Sequence, residues 1–188
     1  MSTFIGNHDL PRAIHLAEDT PLFGDWDSGQ GRAWDNKPGQ PSYKAPYERL
    51  AVSFTFLMTS PGVPLIYYGD EIGLAGAGDP DNRRFMQWDG VSEDQAWLRD
   101  RLSALTTIRS QEVALRRGSL KMLEATVDTL VYEMVYGSER VVVALNRSDV
   151  TKSVGGITNA GYTDLIAGGA ASLPVVLPPR AVAVLKQD

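Results

Sequence analysis

The spacing of apolar and polar residues divides the chain into a helix-containing part and a strand-rich part. Residues 46–59 carry apolar side chains at helical spacing and predict a helix, which Pro61-Gly62 ends. Residues 63–68 form a continuous apolar run of strand length, which predicts a strand buried on both faces. A capping box at Ser92–Gln95 opens a second predicted helix, which ends at Arg117.

The C-terminal part carries several strand-like segments separated by turn residues. Residues 129–136 and 140–146 are strand-like and are joined across 137–139, a turn of hairpin length. Shorter strand-like segments follow at 162–166 and 180–186. The order strand, helix, strand, helix and then only strands predicts a piece of a parallel α/β domain joined to a small β-sandwich.

Polar side chains come directly after both apolar strands of the first part. Asn7-His8-Asp9 follows a short strand predicted at residues 3–5, and Gly69-Asp70-Glu71 follows the predicted strand at 63–68. In parallel α/β barrels, catalytic residues lie at the carboxyl ends of strands. Spacing alone leaves a second interpretation open, in which Asp9 caps a turn and His8 bonds only to backbone.

Composition excludes several classes of partner and site. The 188 residues hold 18 Lys and Arg against 23 Asp and Glu, a net charge of −5, which argues against nucleic acids and anionic membranes as partners. Cysteine is absent, and two histidines without cysteine predict no metal site. The D-x-D-x-G of residues 25–29 lacks the rest of a calcium-loop pattern. Residues 1–9 show no pattern of a secretory signal. The most apolar stretch, residues 50–68, is interrupted by polar residues, proline and glycine, so it does not predict a membrane span.

Four segments, in order, resemble the α-amylase superfamily (glycoside hydrolase family 13). Residues 4–9, Phe-Ile-Gly-Asn-His-Asp, resemble the fourth conserved stretch of that family. Residues 62–71 are similar to its G-x-P-x-x-x-x-G-x-E stretch on the eighth barrel strand. Residues 79–89 resemble the loop after that strand, and residues 108–118 the end of the eighth barrel helix.

The resemblance implies a fold and an activity. Residues 1–118 would be the C-terminal part of a catalytic TIM (β/α)8 barrel, from strand 7 to helix 8, and residues 119–188 a small antiparallel β-sandwich, domain C. The whole would be the C-terminal fragment of a retaining, α-amylase-like glycoside hydrolase that cleaves α-1,4-glucosidic bonds. The family's nucleophile Asp and acid/base Glu follow earlier barrel strands, upstream of Met1, so we expect this chain to be inactive alone. The alternative is a non-catalytic carbohydrate-binding or interaction module derived from the family.

The family's roles carry over to individual residues. Asp9 matches the carboxylate that stabilises the transition state, and His8 the histidine that hydrogen-bonds the sugar in the catalytic subsite. Four more residues join Asn7 as candidate contacts to substrate: Arg12, Asp81, Arg83 and Trp34. A structural ion pair is the competing interpretation for Arg12, and packing within the long loop is the competing interpretation for Trp34.

The resemblance also suggests ligands and partners. We expect no cofactor in this chain, although Ca²⁺ is possible in a full-length parent. The expected partners are an α-glucan or maltooligosaccharide substrate, and either the missing N-terminal barrel portion or a second copy of the chain. The parent is expected to be bacterial and extracellular or periplasmic. The specificity among amylase, α-glucosidase, cyclomaltodextrinase, transferase and isomerase stays open.

Overall fold

The computed structural model describes residues 2–24 and 26–188, which form two compact units. The first unit comprises residues 1–53 and 64–102, and the second comprises residues 54–63 and 103–188. The three unit boundaries fall within helix α1 (Ala45–Thr59), between Val63 and Pro64, and within helix α2 (Glu93–Gln111). The predicted domain boundary between residues 118 and 119 stays a prediction.

Regular strand structure in the first part is much shorter than predicted. The strands β1 (Ser2–Thr3) and β2 (Val63–Pro64) form a two-stranded sheet, extended by a hydrogen bond of 2.8 Å from Leu65 N–H to Thr3 O. The prediction of a buried strand over residues 63–68 is wrong, because Leu65 and Tyr68 are substantially exposed and pairing does not continue past this point. The physical reason is that β1, the neighbour that pairs with β2, is only two residues long and offers few backbone partners.

Both predicted helices form, but the second is interrupted. α1 buries the apolar stripe that predicted it, and the capping box of α2 is present, with Ser92 N–H donating to Gln95 Oε1 at 2.9 Å and Gln95 N–H to Ser92 Oγ at 3.2 Å. The prediction of one helix up to Arg117 is wrong: Glu112 is extended, and a separate helix α3 (Val113–Arg117) follows. The break allows the buried Glu112 carboxylate to bond Lys186 Nζ, 2.8 Å away.

The second unit is built on a five-stranded antiparallel sheet. Its strands are β3 (Ser119–Ala125), β4 (Thr129–Tyr136), β5 (Glu139–Asn146), β7 (Tyr162–Asp164) and β9 (Val182–Gln187). They lie in the order β3-β4-β5-β9-β7, and β6 (Lys152–Ser153) pairs with β8 (Val176–Leu177) as a second, two-stranded sheet. The predicted hairpin between β4 and β5 is confirmed, and Gly137 adopts the left-handed conformation (φ 61°) that its two-residue turn requires.

The central strands of this sheet are buried on both faces. One face forms a core with β6, β8 and the loops around them, made of Val131, Val142, Ala144, Val154, Tyr162, Val175, Leu177, Ala183 and Leu185. The other face carries Tyr132 and Met134; Phe56 packs edge-to-face on Tyr132, with ring centroids 5.9 Å apart, and α3 lies against β4 and β5. This double burial explains why apolar residues predominate on both faces of β4 and β5.

Candidate functional site

The two residues with the strongest predicted roles lie side by side on a short segment that follows β1. In this Gly6–Arg12 segment the side chains of His8 and Asp9 are 60% and 72% exposed, and His8 Nε2 lies 3.4 Å from Asp9 Oδ1. The structure therefore presents a carboxylate and an imidazole together to solvent. Such a pair can hydrogen-bond neighbouring hydroxyl groups of a ligand.

The backbone beneath these side chains is held by Asn82, which was not among the predicted site residues. Its buried amide Nδ2 donates to the carbonyl oxygens of His8 (2.8 Å) and Leu10 (2.9 Å). A buried amide that bridges two carbonyls fixes the path of the chain between them. The sequence carried little signal for this role, since asparagine is ordinary in loops.

Asn7 takes part in the local turn. The backbone N–H of Asp9 donates to Asn7 Oδ1 at 2.8 Å, a side-chain-to-backbone bond between residues two apart. This is the turn-building behaviour typical of asparagine. A contact between Asn7 and substrate stays a prediction.

Arg12 lies in a buried network with Asp70, so the structure gives it the competing role of an ion pair. Its side chain is 1% exposed, and its Nη1 lies 3.1 Å from Asp70 Oδ1 and also donates to the Tyr68 carbonyl. The guanidinium stacks over the rings of Tyr67 and Tyr68, 4.3 and 4.7 Å from their centroids. Burial raises the pKa of Asp70 to about 6, although Arg12 acts in the opposite direction. A direct substrate contact by Arg12 stays a prediction, and this burial argues against it.

Asp81 is held in a second ion pair. Arg84 approaches its two carboxylate oxygens at 2.9 and 2.6 Å, and Ala77 N–H donates to Oδ2 at 2.8 Å. Burial raises the pKa of Asp81, but the hydrogen bonds from Arg84 and Ala77 outweigh burial and leave the pKa below its ordinary value. Asp81 is thus ionised and fully engaged within the protein, while its predicted contact with substrate stays a prediction.

Arg83 and Trp34 are more accessible. Arg83 Nε pairs with Asp79 Oδ1 at 2.7 Å, and its Nη2 reaches the His8 carbonyl at 3.5 Å, so it borders the Gly6–Arg12 segment. Trp34 follows a 3-10 helical turn (Gln30–Arg32), and its side chain is 74% exposed. An exposed indole ring can stack on the apolar face of a sugar.

Other features bear on metals and membranes. Across residues 2–24 and 26–188, no group of three or more His, Asp or Glu side chains is placed to hold a metal ion. The D-x-D-x-G motif begins at Asp25, which lies outside the described residues.

His15 is buried; its Nε2 accepts from Gly76 N–H at 3.1 Å, and its Nδ1 lies 2.9 Å from Glu18. Burial lowers the pKa of His15, which favours a neutral ring that donates to Glu18. In the described part of the chain, no helix is both long and apolar enough to cross a membrane.

Comparison with known proteins identifies the class of this chain. A family model described as the β-galactosidase C-terminal domain matches residues 133–187, within the sheet of the second unit. The chain is 40% identical over 103 residues to a cyclomaltodextrinase of Geobacillus thermopakistaniensis, which covers 54% of this chain and 17% of that protein. It is 32% identical over 173 residues to a cyclomaltodextrin glucanotransferase of Paenibacillus macerans, which covers 89% of this chain and 20% of that protein.

The solved structures agree with the sequence relatives. An α-amylase of Geobacillus thermoleovorans, complexed with acarbose, superposes with a TM-score of 0.78 at 25% identity, over 100% of this chain and 39% of that one. The chain is related to the α-amylase superfamily of glycoside hydrolases and resembles a C-terminal portion of its members, which confirms the prediction from the four motifs. It spans about a fifth of the length of the curated relatives that it matches.

Proposed function

We propose that the chain is the C-terminal portion of a retaining α-glucan-active glycoside hydrolase, in which Asp9 stabilises the transition state and His8 binds the sugar. The observation that carries this proposal is the contrast within the Gly6–Arg12 segment: its backbone is held by Asn82, while the side chains of His8 and Asp9 are exposed. Hydrogen bonds that a preorganised carboxylate accepts from the sugar hydroxyls strengthen as positive charge develops at the sugar ring, and they lower the barrier. Trp34 and Arg83 would contact the sugar beside this pair, with Asp81 supporting the rim.

The proposed chemistry needs two further carboxylates. A retaining glycosidase places a nucleophile and an acid/base about 5–5.5 Å apart on either side of the scissile bond. A single carboxylate at Asp9 can bind and polarise the substrate, but it cannot also form the glycosyl-enzyme and protonate the leaving group. In this proposal both groups come from barrel strands outside the 188 residues, and any Ca²⁺ of the parent would also be held there.

Binding by the chain itself tests the proposed substrate class. Maltohexaose added to the isotopically labelled 188-residue chain should shift the backbone amide NMR signals of residues 7–9. Cellohexaose, which has the same length and composition but β-1,4 linkages, is the matched control and should shift them much less. The absence of any shift with maltohexaose, or equal shifts with both sugars, would contradict the proposal.

Activity of the isolated chain tests whether the reaction needs two carboxylates from outside the 188 residues. We expect no release of reducing sugar from maltooligosaccharides by the chain or by its Asp9→Ala variant. Release that Asp9→Ala abolishes would contradict this expectation, because carboxylates in this chain or in an assembly of its copies would then replace the missing pair. If a protein that contains both this chain and the missing barrel portion binds maltooligosaccharides but releases no reducing sugar, the result would instead favour a non-catalytic carbohydrate-binding module.

A further inference from the structure

Asp70 lies between the two ends of the segment that carries Asp9. Its Oδ1 is 3.1 Å from Arg12 Nη1, at the end of the Gly6–Arg12 segment. Its Oδ2 faces the start of the segment, because a methyl group on Gly6 would lie 2.2 Å from that oxygen. Asp70 is 2% exposed, and within the described residues its Oδ2 has no hydrogen-bond partner. One buried carboxylate therefore contacts both flanks of the exposed pair.

The Gly6–Arg12 segment is also held by two residues that follow Asp70 in the chain, Gly76 and Asn82. Arg12 N–H donates to Gly76 O at 3.0 Å, and Asn82 holds the carbonyls of His8 and Leu10. A side chain whose backbone is held on both sides loses little further freedom when it binds a ligand. The close approach also explains the residue at position 6, since only glycine leaves room for the Asp70 carboxylate.

We propose that Asp70, paired with Arg12, is the positioning residue that fixes Asp9 and His8 by clamping the Gly6–Arg12 segment: an ion pair holds the Arg12 end, and close packing against Oδ2 restricts the Gly6 end. It acts through the backbone and makes no contact with substrate. The importance of the clamp for catalysis rests on the proposed function of Asp9. The effect of the clamp on the Gly6–Arg12 segment does not depend on that function.

Amide hydrogen exchange on the 188-residue chain tests the clamp directly. The N–H of Asp9, which donates to Asn7 Oδ1, and the N–H of Arg12 report on the segment. Asp70→Ala should make both amides exchange about tenfold faster or more, while the amides of Val142 and Val184 in the second unit keep their rates. Asp89→Ala, at an exposed carboxylate of the same unit, is the matched control and should change neither. Unchanged exchange at Asp9 in Asp70→Ala, or equal acceleration throughout the chain, would overturn the proposal.

A second variant keeps the test decisive if Asp70→Ala does not fold. Gly6→Ala leaves Asp70 and Arg12 intact but places a methyl group against Oδ2, and it should accelerate exchange at Asp9 in the same way. In the double variant the carboxylate is gone, so Gly6→Ala should add little to the effect of Asp70→Ala. Full additivity of the two effects would show that the contact between Gly6 and Asp70 does not hold the segment.

The two proposals fail separately. If maltohexaose leaves the amides of residues 7–9 unshifted while Asp70→Ala still loosens the segment, the clamp stands and the proposed function fails. If maltohexaose shifts those amides and Asp70→Ala leaves the exchange of Asp9 unchanged, the function stands and the clamp fails.

Discussion

At the scale of single residues, the carboxylate of Asp70 carries the clearest consequence for stability. Burial raises its pKa from an ordinary value of 3.8 to about 6. The folded state therefore binds a proton more tightly than the unfolded state, and the contribution of this group to the free energy of unfolding decreases as the pH rises from about 4 to about 6. A difference of this size corresponds to on the order of 3 kcal/mol.

The Asp70→Asn variant checks this pH dependence. We expect the free energy of unfolding of the wild type, measured by urea denaturation from pH 4 to pH 7, to lose a component between about pH 4 and about pH 6. The variant cannot ionise at this position, so its curve should lack that component. Identical pH dependence in the two proteins would mean that Asp70 does not titrate in this range.

Arg109 is a buried cation in the second unit that bonds to backbone instead of a carboxylate. Its guanidinium donates to the carbonyl oxygens of Met58 (2.7 Å), Ser60 (3.2 Å) and Gly62 (2.6 Å), which lie at and beyond the end of α1. A cation at the carboxyl end of a helix also interacts favourably with the helix dipole.

Arg109→Met should lower the free energy of unfolding by about 2–4 kcal/mol, since several buried carbonyls would lose their donors. The measurement is chemical denaturation followed by circular dichroism. Arg101→Met, at a partly exposed arginine of α2, is the matched control and should cost much less. Equal losses in both variants would contradict the capping role of Arg109.

The roles of individual residues were harder to predict from the sequence than the helices and the hairpin. The motif around Asp9 was recognisable because its residues are adjacent in the chain. The partners that hold it, Asn82 and Asp70, are separated from it by 60 residues or more, and their roles depend on burial, which no local pattern encodes. Arg12 was open between substrate contact and ion pair for the same reason.

At the scale of elements, α2 depends on its capping box. Ser92→Ala removes the Oγ that accepts from Gln95 N–H, and we expect the free energy of unfolding to fall by about 1 kcal/mol. Ser92→Thr keeps the hydroxyl and should cost less. Thermal unfolding monitored by circular dichroism compares the three proteins, and equal melting temperatures in all three would show that the cap does not stabilise α2.

Elements with strong local signals were predicted well, and those that depend on neighbours were not. Three features are each encoded by residues that are close together in the chain: the apolar stripe of α1, the capping box of α2 and the β4–β5 hairpin. The run at residues 63–68 has the composition of a buried strand, but a strand needs partners on its edges, and β1 pairs with only its beginning. At the break, Glu112 contacts Lys186, 74 residues away, and no local pattern encodes such a contact.

At the scale of the whole molecule, exposed apolar side chains in the first unit lead us to expect that the chain associates. Phe4, Leu65 and Phe85 are 52%, 46% and 99% exposed, and the β1–β2 sheet has few backbone pairs. Open strand edges and exposed apolar side chains favour self-association or binding to a further segment. We expect sedimentation velocity to show concentration-dependent oligomers of the 188-residue chain, and a stable monomer over a wide concentration range would contradict this.

The central claim, that Asp9 stabilises the transition state of a glycosidase, is tested most directly in a chimera. The chain would replace the matching C-terminal segment of the cyclomaltodextrinase of Geobacillus thermopakistaniensis, and kcat on maltooligosaccharides would be measured. We predict that the chimera is active and that Asp9→Asn lowers kcat by on the order of 100-fold or more, while Asp89→Asn, at an exposed carboxylate, leaves it unchanged. An active chimera whose kcat is the same with Asp9→Asn as without it would contradict the account.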